Sequence, residues 1–126
     1  MPTTVKEMLA TANEAAPRID PAQARAMIES GNVLLLDVRD PPEVKQSGKL
    51  KGAVTISRGL LEFKADPESP ARDPAFAAGR PILVYCASGG RSALAGKALK
   101  ELGYAEVYNL GGFKAAADAG LETEPG

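Results

Sequence analysis

Among its 126 residues the chain holds one cysteine, Cys86, and no histidine. Without an imidazole, neither a Ser-His nor a Cys-His nucleophile pair can be assembled, and the commonest metal ligand is missing. No metal and no cofactor is therefore expected, and a nucleophile here must be activated by other means. Cys86 stands where such means are at hand, at the head of Cys86-Ala87-Ser88-Gly89-Gly90-Arg91. Ahead of it, Pro81 to Tyr85 reads as a buried strand; behind it, Ser92 to Leu102 reads as a helix with Leu94, Ala98, Leu99 and Leu102 on its inner face. The glycine pair lets the turn curl so that several N-H groups converge on one point, and the helix adds its positive end. The result is a cradle for a negative group, with sulfur at its centre.

A free cysteine has a pKa of about 8.5, so little thiolate exists at neutral pH. A helix N-terminus is worth about 0.3 to 1 kcal/mol, at best ~2, and one pKa unit is ~1.36 kcal/mol, so the dipole alone lowers the value by about one unit. Loop amides bonded to the anion, and the charge of Arg91, supply the remainder. The plainer reading is that a lone cysteine after a strand serves as a small apolar core residue. Against it, Arg91 at a helix start opposes the macrodipole unless an anion sits there, and local rule-breaking of that kind concentrates at functional sites.

The elements that must position this loop follow from periodicity. Thr4 and Glu7 have capping-box spacing ahead of Val5, Met8, Leu9 and Ala12, which predicts an N-terminal helix ending near Ala16-Pro17. Asp20 as cap, Pro21 at the first helical position and Gly31 as terminator predict a second. Short apolar runs at Val33 to Val38, Ala53 to Ile56, Ile82 to Tyr85 and Val107 to Leu110 read as strands. Helix-compatible stretches separate or follow them: Pro41 to Gln46, Leu60 to Lys64, Pro74 to Ala78, Ser92 to Leu102 and Phe113 to Ala119. This alternation predicts an α/β fold, an open mainly parallel sheet of four to five strands with helices on both faces, whose ligands bind beyond the carboxyl ends of the strands. Residues 1–18 are expected to form a helical extension packed on a domain of residues 19–122, with 123–126 a loose tail.

Fifteen basic against sixteen acidic residues leave a net charge of −1, with no basic cluster to track a phosphate backbone. No apolar run approaches a membrane span and no leader pattern opens the chain. With its single thiol, the chain is expected to be cytoplasmic, with neither nucleic acid nor membrane as partner.

Four stretches resemble the rhodanese family, and together they cover nearly the whole chain from Ile19 to Leu121. They are Asp20-Pro21 opening a helix; Leu34-Leu35-Leu36-Asp37-Val38-Arg39 with Glu43; Cys86 to Ser92; and Asn109-Leu110-Gly111-Gly112-Phe113-Lys114. The resemblance implies a catalytic cysteine, Cys86, that takes a sulfane sulfur from an anionic donor such as thiosulfate and passes it to a thiophilic acceptor. By that likeness the amides from Ala87 to Arg91 (Ala87, Ser88, Gly89, Gly90, Arg91) hold thiolate and persulfide, Arg91 favours the anionic donor, and Ser92 caps the helix. Arg58 resembles a basic residue placed near the family's site and is a candidate substrate contact. Asp37, Arg39 and Glu43 read as a supporting ion-pair frame, and Gly111 and Gly112 as unusual backbone beside the loop. The chain departs from the family with Gly48-Lys49-Leu50 where Gly-His-Ile is common, and with Ala115 to Ala117 where an aromatic is usual.

Three other readings use the same residues. One is a binding module without catalysis; another is a persulfide carrier to a protein acceptor. The third is a cysteine phosphatase or arsenate reductase, a family that resemblance would give five residues between cysteine and arginine. Here four intervene, and the smaller ring suits sulfur better than a tetrahedral oxyanion.

Overall fold

The computed structural model describes residues 2–126, apart from the side chain of Ala78. Met1, the first residue of the expected N-terminal extension, lies outside them. The capping signals act where their spacing places them. Thr4 accepts from the Glu7 N-H at 3.1 Å and opens helix α1 (Val5–Ala15). Asp20 accepts from the Gln23 N-H at 2.8 Å and opens α2 (Pro21–Ser30), which Gly31 closes at φ 79°. Capping works across three residues of chain, which is why it survives folding unchanged.

Strands β1 (Leu34–Asp37), β3 (Val54–Thr55), β4 (Ile82–Cys86) and β5 (Val107–Gly112) form one parallel sheet in the order β3-β1-β4-β5. Between β1 and β3 lie α3 (Pro41–Ser47) and the short β2 (Lys49–Leu50); after β3 come a 3-10 turn (Arg58–Leu60) and α4 (Leu61–Ala65). Helix α5 (Gly90–Glu101) joins β4 to β5, and α6 (Phe113–Asp118) follows β5. Because side chains alternate along a buried strand, Ile82, Val84 and Cys86 join one core with Ala16, Leu61, Ala95 and Leu99. Leu83 and Tyr85 join the other with Ala24, Leu110 and Ala116. The chain runs to one side of β1 to form β3 and returns on the other to form β4, so the sheet order reverses at β1/β4. Asp37 and Cys86 both end strands at that crevice, where α/β sheets place their ligands.

Several boundaries differ from the sequence reading. α5 begins two residues earlier than Ser92, because Gly89 at φ 106° turns the chain straight into the helix. Pro74–Ala78 forms a 3-10 helix rather than an α-helix. Thr123–Glu124, read as part of a loose tail, form β6 and pair antiparallel with β2. The Glu124 carboxylate accepts from the Gly52 N-H at 2.8 Å and pairs with Lys49 at 3.3 Å, contacts some 72 residues apart that no local pattern announces. A further parallel bridge joins Arg18 to Asn109, fastening the stretch before α2 to the open edge of β5. Among the described residues, no helix is long and apolar enough to cross a membrane.

Candidate active site

Cys86 ends β4 and is 1% exposed, so its sulfur lies beneath the loop rather than on the surface. The surrounding donors nonetheless turn toward it. The Gly89 N-H points at Sγ from 3.1 Å and the Ser92 N-H from 3.4 Å. The thiol in turn donates to Ser92 Oγ at 3.4 Å. Gly89, as N-cap of α5 in the left-handed region, is what aims the first of these amides. Burial pushes the thiol up; hydrogen bonds from the Ser92 side chain and from the backbone of Ser92, Gly89 and Ser88 outweigh it and hold the thiol below its ordinary value. Gly90 opens α5 beside the sulfur, while Ala87 and Ser88 are exposed and form the rim.

Ser92 does not cap the helix. It sits inside the first turn of α5, buried, and its hydroxyl donates to Asn109 Oδ1 at 2.7 Å. Asn109 is fully buried and was not among the expected site residues. Its Oδ1 also accepts from the Gly111 N-H at 2.9 Å, and its Nδ2 donates to the Gly89 carbonyl at 3.1 Å, so one carboxamide braces the loop, α5 and the end of β5. The available signal was an amide inside the apolar run Val107 to Leu110, since a buried polar group must find partners.

Arg91 makes a contact that the sequence reading did not assign. Its guanidinium forks onto Glu43, Nη1 to Oε1 at 2.6 Å and Nη2 to Oε2 at 2.9 Å, and so ties α5 to α3. The two-pronged hydrogen bond from Arg91 holds the Glu43 carboxyl down at about 2, against some burial and with help from the Asp40 N-H. A carboxylate lowered by folding contributes stability that is present above its ordinary value of 4.5 and is lost as pH falls toward about 2. Acid titration of the melting temperature is therefore expected to show a decline across that interval that Glu43→Gln flattens; an identical decline in the variant would show that the pair is energetically silent.

The other supporting residues are Asp37, Arg39, Gly111 and Gly112. Asp37 and Arg39 are 0% and 3% exposed and joined by Nη2 to Oδ2 at 2.7 Å, with Nε reaching both carboxylate oxygens. Arg39 also donates to Ser47 Oγ at 2.7 Å and the Gly48 carbonyl at 2.8 Å, and lies 4.4 Å from the centre of the Phe113 ring. Gly112 presses on the loop: a Cβ there would stand 2.5 Å from the Ala87 carbonyl oxygen. Gly111, at φ 97°, lies under the Arg18 guanidinium, which also covers Gly89; Arg18 is a second residue the sequence reading did not single out. Arg58 stands apart from this group. It pairs with Glu62 at 2.9 Å and lines a groove with Met8, Leu94 and Lys97, along α1 and α5.

A parallel α/β sheet with main-chain donors closing on a strand-end cysteine at its switch point defines the class, an α/β domain with a cysteine loop. The chain belongs to the rhodanese-like domain family, whose pattern it matches over residues 20–119. It is 30% identical over 107 residues to the thiosulfate sulfurtransferase GlpE of Vibrio cholerae, covering 84% of this chain and 92% of that one. It is 35% identical over 94 residues to a tRNA uridine(34) hydroxylase of Cytophaga hutchinsonii, 75% of this chain but only 29% of the hydroxylase's length. Among solved structures it resembles a Rhodopseudomonas palustris protein of unknown function, named a possible tyrosine phosphatase. That match has a TM-score of 0.87 and 40% identity, over 98% of this chain and 99% of that one.

Proposed function

We propose that the protein is a sulfurtransferase that moves a sulfane sulfur from thiosulfate or a similar anionic donor to a thiophilic acceptor through a persulfide on Cys86. The Cys86 thiolate attacks the outer sulfur of thiosulfate; the S-S bond of the donor breaks, sulfite departs with the electron pair, and the outer sulfur stays on Cys86. A nucleophilic acceptor, cyanide or a thiolate, then takes that sulfur, and the Cys86 thiolate returns. The Gly89 and Ser92 amides oppose the negative charge in both resting states and need no rearrangement to do so. The observation that carries this reading is the set of donors aimed at the only cysteine, at 3.1 and 3.4 Å. The name of the Vibrio relative supports thiosulfate as donor. A protein acceptor, with the chain as carrier, uses the same loop and the same chemistry, and a lone free thiol suits the reducing cytoplasm.

The phosphatase reading draws on the name of the Rhodopseudomonas structure. Against it, four residues rather than five separate Cys86 from Arg91, and the guanidinium that would grip a phosphate is forked onto Glu43. Incubation of the reduced protein with thiosulfate is expected to add one sulfur, ~32 Da, that dithiothreitol removes, and Cys86→Ser is expected to add none. A parent chain left unmodified by thiosulfate and by polysulfide would favour a binding module, and Cys86-dependent hydrolysis of an aryl phosphate at a comparable rate would favour the phosphatase.

A further inference from the structure

We infer that Asn109 is a positioning residue for Cys86: its carboxamide oxygen competes with the sulfur for the one proton of the Ser92 hydroxyl. The inference rests on Cys86 being the working thiol, and it adds a residue on a different strand to the machinery.

Ser92 Oγ lies between two acceptors, 2.7 Å from Asn109 Oδ1 and 3.4 Å from Cys86 Sγ. With its proton on Asn109, the hydroxyl oxygen offers the sulfur a lone pair and can only accept from the S-H. That arrangement suits a thiol. When the thiol loses its proton to water, the sulfur carries charge and needs a donor, and the hydroxyl can supply one by turning about its C-O bond. Asn109 permits the turn, because Oδ1 keeps the Gly111 N-H at 2.9 Å and is not left bare in the buried interior. The Nδ2 bond to the Gly89 carbonyl at 3.1 Å prevents the carboxamide from flipping, so an oxygen and not an NH2 always faces Ser92. The hydroxyl thus follows the charge on sulfur, while the Gly89 and Ser92 amides stay fixed.

Of the charged and titratable groups near the loop, Arg91 of α5 is held by Glu43 of α3, Arg18 lies against Gly89 and Gly111, and Asp37, paired with Arg39, stands opposite Tyr85 at the neighbouring strand ends. None of them is altered in the variants below, so the part of each Asn109 shift that vanishes with Ser92→Ala reports the hydroxyl.

The test is the pH midpoint of the 240-nm thiolate absorbance of the reduced protein, with the tyrosine background subtracted using Cys86→Ser. Ser92→Ala keeps both amides and loses the movable donor; its midpoint is expected to rise by about one pH unit. Asn109→Leu leaves the hydroxyl no acceptor but sulfur; its midpoint is expected to fall by about half a unit, and by roughly nothing when Ser92→Ala is also present. A purely structural role, in which Asn109 only stiffens the loop, predicts the opposite sign. A rise in Asn109→Leu, or the same shift with and without the hydroxyl, would overturn the inference. Asn109→Leu also strips partners from Gly89 and Gly111, so if it does not melt cooperatively Asn109→Asp takes its place, which keeps the acceptor for Ser92 and Gly111 and gives up only the bond to the Gly89 carbonyl. That carboxylate grips the hydroxyl more firmly, and its upward shift must be larger with Ser92 than with Ser92→Ala; equal shifts would sink the idea. The readout uses no sulfur donor. Midpoints that move as expected in a chain that takes no sulfur from thiosulfate would therefore count against the sulfurtransferase alone.

Discussion

Arg39→Ala is expected to cost about 3 to 5 kcal/mol, a large share of the ~5 to 15 kcal/mol that holds a typical domain together. Asp37 is fully buried at the end of β1, and Arg39 donates to its carboxylate from both Nε and Nη2. Removing the guanidinium strands a charge in the interior and also unties Ser47 and the Gly48 carbonyl, which anchor the end of α3. The melting temperature should drop by roughly 10 to 20 °C. The paired change Asp37→Leu with Arg39→Met should recover more than half of the loss, since a buried ion pair is worth little over an apolar pair of similar volume while half of one is costly. A drop of under ~3 °C in the single variant would mean that water reaches Asp37 and that the frame is not dry.

Gly112→Ala is expected to lower the rate of sulfur uptake by roughly 10²-fold while leaving the fold cooperative, because displacing a reacting group by about 1 Å can cost that much. The added methyl would meet the Ala87 carbonyl oxygen at 2.5 Å and the Ser88 Cα at 3.4 Å. That oxygen belongs to backbone and cannot swing aside like a side-chain tip, so the loop must shift as a whole and carry its amides off the sulfur. Gly112 itself adopts φ −99°, which any residue tolerates, and the effect is therefore one of contact and not of backbone strain. Gly59→Ala serves as the control, since a methyl there meets nothing within 4 Å. Full uptake by Gly112→Ala would mean that the loop accommodates the displacement without losing its grip on sulfur.

The Arg39 prediction turns on a partner two residues away and the Gly112 prediction on one from another strand end, and the same distinction separates what the sequence shows from what it does not. The loop from Cys86 to Arg91 was legible because its message is local: a strand, a glycine turn and a helix start in six residues bring amides to a cysteine wherever the rest of the chain goes. The destination of Arg91 was not legible, since Glu43 lies 48 residues away and its carboxylate was equally free to serve Arg39. Arg58, which the resemblance placed near substrate, is tied to Glu62 one helical turn on, a pairing that spacing permits but does not require.

The sequence by itself determined the order of the four strands of the main sheet and the helices around them, the caps of α1 and α2, and the one residue able to carry sulfur, because periodicity, capping and the count of a residue type involve neighbours along the chain. Tertiary structure alone decided that Asn109 braces the loop, that Arg18 lies over Gly89 and Gly111, that Arg91 is occupied by Glu43, and that Thr123–Glu124 form a strand. These are contacts across the sheet and its edges, where a side chain meets whatever the packing brings within 3 to 4 Å, and packing is settled by the whole core at once.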